Sequence, residues 1–191
     1  MDFFRSKINN PEIVKEKKEK LDVNFRLARP EDWESFKRLR IEAISDPDNT
    51  EASDNRIMLE QSRGQRYWEE RMAYLPDDFI ILATKGEHAI GMGIASRDKD
   101  DRWYIGWGYV EEAFRGKGVG KKIMANRLNE ILRRGGKTVY VHVRLSNHVS
   151  LGNCRYFGFK ESSQNDKEYT LRLDLSDIEV VKKIKSVLDA G

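Results

Sequence analysis

The sequence predicts a mixed α/β domain built on a largely antiparallel sheet, and three observations lead to that prediction. Short runs rich in apolar residues recur along the chain, and several alternate apolar with polar residues as half-buried strands do. Longer segments repeat apolar residues every three or four positions, as amphipathic helices do. Tight polar turns join three consecutive strand-like runs, which favours antiparallel pairing. At 191 residues the chain is long enough for one domain with a substantial core.

The first part of the chain is predicted to hold a charged extension, one strand and one helix. Residues 1–22 are rich in Lys and Glu, with a short helix beginning near Pro11, and we expect them to be a charged extension of the domain. A strand over residues 24–28 leads to a helix whose first turn contains Pro30, a residue well tolerated there. The apolar face of this helix recurs every three or four residues, at Trp33, Phe36, Leu39, Arg40, Ala43 and Ile44.

The middle of the chain predicts a second helix and a three-stranded meander. The helix covers much of residues 51–75 and is less regular than the first. The segments DFIILATK, AIGMGIAS and RWYIGWGYV are predicted to be consecutive strands, joined by turns at Gly86 and at RDKDD. Regular alternation along the last of these strands would send Trp103 and Trp107 to one face of the sheet and Tyr104 to the other.

The last part of the chain predicts two further strands and three helices. A helix follows a glycine-rich turn and ends at Gly135. KTVYVHVRL and KEYTLRLDL both alternate and are predicted strands, and the short helix between them stops at Gly158. The main domain is therefore expected over residues 23–175. The final helix, within residues 176–191, could cover the sheet or form a homodimer contact, and the sequence leaves both open.

Composition and charge favour a cytoplasmic protein that binds neither membranes nor nucleic acids. The net charge of +3 suits an anionic ligand, but it is far from the dense basic surface of a dedicated nucleic-acid-binding protein. The N-terminal residues lack the apolar core of a signal peptide, and no apolar run approaches the length of about 18 residues needed to cross a membrane. The single cysteine, Cys154, excludes an internal disulfide and a cysteine zinc cluster, and we expect no metal site.

The segment RGKGVGKK, from Arg115 to Lys122, is the feature that most directly predicts a ligand. It lacks the Ser or Thr that follows Gly-Lys in a P-loop, and its spacing departs from the dinucleotide-binding fingerprint. Glycines nevertheless let backbone N–H groups approach a ligand, and the helix that follows presents its positive end. A pyrophosphate is the predicted ligand. The alternative is a tight strand-to-helix connection whose lysines are solvated.

These glycines, together with three other landmarks, resemble the GNAT superfamily of acyl-CoA-dependent N-acetyltransferases. Arg-Gly-Lys-Gly-Val-Gly is similar to the family signature (Q/R)-x-x-G-x-(G/A). Val110 lies five residues before Arg115, as in the lead-in V-x-P-x-x-R-G, although Glu112 stands where the family has proline. Asn147 and then Gly158-Phe159 follow the next strand, which resembles the segment N-x-x-A…Y-x-x-x-G-F. The resemblance spans the predicted main domain.

The resemblance implies a central mixed, mostly antiparallel sheet, flanked by helices and splayed apart between its fourth and fifth strands. Acetyl-CoA is the implied co-substrate, and its pantetheine arm would lie as an extra strand against Gly108, Tyr109 and Val110. Asn147 is placed to meet the same arm. The pyrophosphate would occupy the glycine-rich turn, on Arg115, Gly116, Lys117, Gly118, Val119, Gly120 and Lys121.

Two residues are candidates for proton transfer when an amine attacks the thioester. Glu111, at the end of the fourth strand, could accept the amine's proton through water, or it could be a solvated residue at a strand end. Cys154 stands where the family usually has a tyrosine that protonates the leaving thiolate. Its thiol could replace that tyrosine, or it could be a small buried residue while water supplies the proton. Tyr156 does not simply replace it, because side chains two positions apart on a helix point about 200° away from each other.

The function expected from this resemblance is transfer of an acetyl group from acetyl-CoA to a primary amine of a small molecule or peptide, by direct attack. A non-catalytic acyl-CoA-binding or regulatory module is the alternative, since the usual tyrosine is missing. Glu42, Asp46 and Glu51, around the first helix, could attract a cationic amine, because this region usually forms one wall of the acceptor site in the family. The sequence does not identify the amine.

Overall fold

One seven-stranded sheet forms the centre of the protein in the computed structural model, which describes residues 21–46, 54–72 and 77–190. The strands are β1 (Asn24–Leu27), β2 (Asp78–Lys85), β3 (His88–Arg97), β4 (Trp103–Val110), β5 (Thr138–Arg144), β6 (Lys160–Gln164) and β7 (Glu168–Asp174). The helices are α1 (Trp33–Ser45), α2 (Asp54–Ser62), α3 (Gln65–Met72), α4 (Val119–Arg133), α5 (His148–Phe157) and α6 (Ile178–Asp189). The sheet order is β1-β2-β3-β4-β5-β7-β6, and all neighbours are antiparallel except β4 and β5. The predicted mixed, mostly antiparallel sheet is confirmed.

The parallel strands β4 and β5 separate soon after they begin. In the described residues their ladder contains two pairs, Trp103 with Val139 and Tyr104 with Tyr140. By contrast, β5 pairs with β7 along its whole length, and β4 pairs with β3 as far as Val110. The two strands therefore hold together at one end and diverge at the other, as predicted, which leaves a cleft beside the second half of β4.

Helices cover both faces of the sheet. On one face, α4, α5 and α6 share a core with β2, β5 and β7, and on the other face α1 and α3 pack on β2 and β3. The apolar stripe of α4, which includes Val119, Ile123, Met124, Leu128 and Ile131, is buried in the first of these cores, and the apolar face of α6 joins it. Truncation of a fully buried large side chain in either core to alanine would lower the free energy of unfolding by roughly 2–5 kcal/mol. Such side chains include Phe36, Leu39, Leu82, Ile123, Leu128, Phe157 and Ile184.

The connection from β1 to α1 is held by one carboxylate. Asp32 accepts hydrogen bonds from the backbone N–H of Arg29, at 2.7 Å, and from both terminal nitrogens of Arg26, also at 2.7 Å. The hydrogen bonds from Arg26 hold the pKa of Asp32 below its usual value. Pro30 lies in a short 3-10 turn that leads into α1, in keeping with its predicted place at the start of the helix.

A β-bulge in β4 makes the predicted orientation of Trp107 wrong. Met92 pairs with Tyr109 while Ile94 pairs with Gly106, so β4 has an extra residue between these pairs, and Trp107 has a φ of 46°. An inserted residue reverses the alternation beyond it. Trp103 is consequently buried beside α4, whereas Trp107 lies on the opposite face. There its ring is covered by two guanidinium groups and a phenyl ring, those of Arg40 at 4.0 Å, Arg71 at 4.7 Å and Phe36 at 6.3 Å.

Two further elements differ from prediction. The second helix is two helices, α2 and α3, because the chain leaves the helical path at Arg63 and Gly64. Strand β6 was not predicted, because all five of its residues are exposed and it therefore lacks the apolar alternation that marks a half-buried strand. The expected helix near Pro11 lies outside the described residues.

Candidate active site

The glycine-rich turn leads from β4 into the N-terminus of α4. Gly116 and Gly118 have φ values of 72° and 84°, a region that disfavours residues with a side chain. A Cβ at either position would meet no atom within 4 Å, so backbone conformation and not lack of space accounts for the glycines. Gly118 is the N-cap of α4, and no side chain therefore caps the N–H groups of the first helical turn. Such a helix end suits an anion.

Three exposed cations of the turn have contacts within the protein. Arg115 donates from Nε to the carbonyl oxygen of Val110 at 3.0 Å and pairs through Nη2 with Asp46, which follows α1. Lys117 donates to the carbonyl oxygen of Ala113, just before the turn, at 2.8 Å. The Nζ of Lys121 lies 3.9 Å from the ring centroid of Tyr156 on α5. The Asp46 carboxylate, which was expected to attract a cationic amine, thus holds an arginine of the turn.

The edge of β4 that faces the cleft continues the same surface. Beyond Tyr104 the edge carries no strand in the described part of the chain. Gly108 is exposed, and Tyr109 and Val110 are half-buried. The turn packs against the end of this strand, since a Cβ on Gly120 would lie 3.7 Å from a methyl group of Val110. The structure therefore brings the predicted pantetheine-binding and pyrophosphate-binding residues together in one continuous region.

Asn147 caps α5 at the other side of the cleft. Its side-chain oxygen accepts a hydrogen bond from the backbone N–H of Ser150 at 2.9 Å, so the predicted pantetheine contact would have to use the amide nitrogen or the backbone. Asn153, which the sequence analysis did not single out, donates to the carbonyl oxygen of Gly120 at 3.5 Å and joins α5 to the start of α4. Its own side-chain oxygen is buried without a hydrogen-bond partner among the described residues.

Glu111, the candidate proton acceptor, lies in a network of charged side chains. One of its oxygens is 2.5 Å from Nη1 of Arg38, and Nε2 of His88 is 2.9 and 3.1 Å from its two oxygens. Arg38 also donates to Glu42 at 2.8 Å and to the backbone of Ala89. Glu111 is thus half-buried and ion-paired instead of freely solvated. His88 is an imidazole beside the candidate base that sequence spacing did not reveal.

Cys154, the candidate proton donor, is fully buried in the core between α5 and α4. Burial raises the pKa of its thiol to about 11, although the nearby guanidinium of Arg127 acts in the opposite direction. At pH 7 only about one thiol in ten thousand would then be ionised. Such a thiol can donate a proton but is a poor nucleophile. Tyr156 points away from it and is 38% exposed, as the helical geometry predicted.

Arg127 is the residue at this site that the sequence analysis missed. It lies in the third turn of α4, on the face that carries the buried apolar stripe, and it is 4% exposed. Its Nη1 donates to the carbonyl oxygens of Ile94, at 3.2 Å, and Gly106, at 3.0 Å. The sequence did contain a signal for it, since it places a charged residue among the apolar positions of an amphipathic helix. Charged side chains are rarely buried unless they are paired.

The wall formed by α1 carries the residues expected to meet the acceptor. Glu42 lies in an open groove along this helix, whose other lining residues are Trp33, Glu34, Lys37, Arg38 and Ile41. Glu51 lies outside the described residues. Within the described ranges no group of three or more His, Cys, Asp or Glu side chains could hold a metal ion. In those ranges, too, no helix is both long and apolar enough to cross a membrane.

The family is established by the match of residues 33–159 to the model of the acetyltransferase (GNAT) family. Since this match covers more than half of the 191 residues, the chain belongs to the GNAT family of acetyltransferases, and it is an acyltransferase of that type. The resemblance inferred from the sequence motifs is thus confirmed. No curated protein sequence matches the chain.

Solved structures of acetyltransferases share the fold. PaiA N-acetyltransferase from Thermoplasma acidophilum, solved with coenzyme A, has 14% sequence identity and a TM-score of 0.70 over 80% of this chain and 99% of its own. YncA from Salmonella typhimurium, solved with its cofactor acetyl-CoA, has 17% identity and a TM-score of 0.62 over 82% and 95%. A GNAT acetyltransferase from Staphylococcus aureus Mu50 has 12% identity and a TM-score of 0.65 over 81% and 99%.

Proposed function

We propose that the protein transfers an acetyl group from acetyl-CoA to a primary amine of a small molecule or peptide. The observation that carries this proposal is that the cleft beside β4 runs directly into the glycine-rich turn and the N-terminus of α4. A pantetheine arm can hydrogen-bond to the backbone from Gly108 to Val110 while the pyrophosphate binds the first turn of the helix. The CoA and acetyl-CoA in the solved PaiA and YncA structures support this co-substrate.

The proposed reaction is a direct attack without an acyl-enzyme. The amine nitrogen bonds to the thioester carbonyl carbon, the C–S bond breaks, the amine loses a proton, and the CoA thiolate gains one. Glu111 is the proposed proton acceptor, acting through water beside the edge of β4. Cys154 is the proposed proton donor, with water as its substitute. The raised pKa of the Cys154 thiol keeps it protonated at neutral pH and argues against a cysteine nucleophile. It also makes the thiol a weaker acid than an ordinary cysteine, so water is kept as the alternative donor.

The acceptor is proposed to enter along α1, where Glu42 and the ion-pair network around Glu111 line one side of the site. A protonated amine is attracted to such carboxylates before it loses its proton. The single cysteine supports a reducing compartment such as the cytoplasm as the place of the reaction.

Calorimetric titration with acetyl-CoA and with CoA tests this proposal. We expect micromolar binding to the wild type and a severe loss in Gly118→Asp, which places a negative charge where the pyrophosphate is proposed to lie. Gly118→Asn is the control for shape, because Asn and Asp adopt positive φ about equally well but only Asp carries a charge. Gly135→Asp is the control for backbone strain, since Gly135 has a φ of 80° just after the opposite end of α4, where a Cβ would meet no atom within 4 Å.

Release of free CoA in the presence of a panel of amines then separates the two functions considered. Turnover supports the transferase, whereas tight binding without turnover would support a non-catalytic acyl-CoA-binding module. Absence of any CoA binding, or equal binding by Gly118→Asp and the wild type, would refute the site itself.

A further inference from the structure

Arg127 is a buried arginine that has no acidic partner in the part of the chain that the structure describes. Its Nη1 is satisfied by two strand carbonyls, its Nη2 has only the thioether of Met124 at 3.6 Å, and its Nε has no hydrogen-bond partner among the described residues. Burial lowers the pKa of this guanidinium to about 10, so it stays protonated at neutral pH. Buried charges are ordinarily paired, because removing an ion from water is costly. An anionic ligand would complete this site.

The unused donors of Arg127 have the geometry of a carboxylate-binding group. Nε–H and one N–H of Nη2 lie side by side on one edge of the planar guanidinium, the arrangement that arginine uses for carboxylates. Nε is buried against Gly93, whereas Nη2 faces Gly108, so Nη2 is the donor that a carboxylate on this strand would meet first. Thioether sulfur is a weak acceptor and does not compete with a carboxylate. The bonds from Nη1 to the carbonyl oxygens of Ile94 and Gly106 fix the position of the group, but they do not neutralise its charge.

Arg127 lies beside the strand edge that the proposed CoA thioester would follow. Gly106, whose carbonyl it binds, comes two residues after the last β4–β5 pair at Tyr104. A Cβ on the exposed Gly108 would lie 3.7 Å from Nη2, so the missing side chain leaves the guanidinium within reach of a ligand on this strand. Glycine at position 93 makes room for the same group, because a Cβ there would lie 2.9 Å from Nε.

We infer that Arg127 binds a carboxylate at the far end of the acyl group, so that the preferred donor is the CoA thioester of a short dicarboxylic acid. This inference rests on the proposed function, because it assumes that the thioester lies along β4. Malonyl and succinyl groups belong to this class, with one or two methylene groups between the thioester carbonyl and the carboxylate. An acetyl group would leave Arg127 without a counter-ion.

Equilibrium binding to the wild-type protein tests the inference without any substitution. Malonyl-CoA is compared with isovaleryl-CoA, and succinyl-CoA with 4-methylpentanoyl-CoA, since in each pair a carboxylate is replaced by an uncharged branched group of similar shape. A charge-assisted hydrogen-bonded pair predicts that the carboxylate member of at least one pair binds about 10- to 100-fold more tightly. Equal binding within both pairs, or tighter binding of both branched thioesters, overturns the inference.

Arg127→Gln then assigns the effect to this residue, because glutamine keeps an N–H donor for a strand carbonyl but removes the charge. The preference for the carboxylate is expected to vanish while the affinity for acetyl-CoA stays within about threefold, an amount that corresponds to less than a hydrogen bond. Arg133→Gln is the matched control, since it makes the same change on the exposed side of α4 and should keep the preference. A preference that survives in Arg127→Gln would overturn the assignment.

The failure of this inference is distinguishable from failure of the proposed function. Binding of acetyl-CoA with no carboxylate preference refutes the inference alone. A loss of turnover from acetyl-CoA in Arg127→Gln, with no such preference in the wild type, also refutes it and points to an effect on the leaving thiolate. Absence of binding by every CoA thioester refutes the proposed function and the inference with it.

Discussion

The substitution Gly93→Ala tests whether Arg127 lies against β3, because a single methyl group would collide with it there. The added Cβ would lie 2.9 Å from Nε and Cζ of Arg127 and 2.9 Å from a methyl group of Ile123. Either the guanidinium or the helix must move. Overpacking of this kind costs roughly 1–3 kcal/mol, and loss of one hydrogen bond from Arg127 to a strand carbonyl adds about 1 kcal/mol. We therefore expect the free energy of unfolding to fall by about 2–4 kcal/mol.

Urea denaturation followed by circular dichroism measures this change. With an m-value of about 2 kcal/mol per M, the midpoint should fall by roughly 1–2 M. Gly106→Ala is the matched control, because it adds the same methyl group to the neighbouring strand, where the nearest atom to the Cβ is 3.9 Å away. Its midpoint should be unchanged or slightly higher, since alanine restricts the unfolded chain. Equal midpoints for the two variants would refute the placement of Arg127 against β3.

Three other residues yield separate predictions. Cys154 should resist a thiol reagent at pH 8 in the native protein and react once urea unfolds it; rapid native labelling would contradict its burial. Because its pKa is raised from 9.0 to about 11, the unfolded chain ionises first. The stability of the wild type relative to Cys154→Ala should therefore fall as pH rises from 9.0 to about 11, by at most about 2–3 kcal/mol. Asp46→Asn should tighten CoA binding up to about fivefold by removing the Asp46 carboxylate as a competitor for Arg115, and weaker binding measured by calorimetry would count against a pyrophosphate contact. Glu111→Gln should lower kcat about 10²- to 10⁴-fold with CoA affinity unchanged, whereas Glu42→Gln should retain most turnover; equal losses in steady-state assays would contradict a specific role for Glu111.

Much of the fold was predictable because its signals are local. The meander from β2 to β4 shows apolar strands separated by short polar turns, and α4 shows a complete apolar stripe between two glycine-rich boundaries. Gly158 ends α5 at a φ of 94°, as expected of a glycine at a helix C-terminus. The glycine-rich turn was equally predictable from the sequence, because positive backbone φ angles at Gly116 and Gly118, and no contact with distant residues, account for the two glycines.

The parts that could not be predicted depend on contacts between distant segments. Strand β6 has no apolar face and exists because it pairs with β7. The bulge at Trp107 follows from the register of β4 against β3, and it reverses the face on which this residue packs. The pattern of apolar residues along one strand does not predict its pairing register, because the strand alternates in the same way whichever residue of the neighbouring strand it faces.

The sequence by itself determined the family of this protein, the glycine-rich turn and the position of the candidate proton donor in the chain. Only the tertiary structure decided what surrounds these groups. It pairs Asp46 with Arg115, 69 residues away in the chain, and Glu111 with Arg38, 73 residues away. It also buries Arg127 behind β4, where no acidic side chain among the described residues pairs with it. The physical reason is that backbone conformation follows from neighbouring residues, whereas the charge and solvation of a side chain depend on groups that folding brings together from distant parts of the chain.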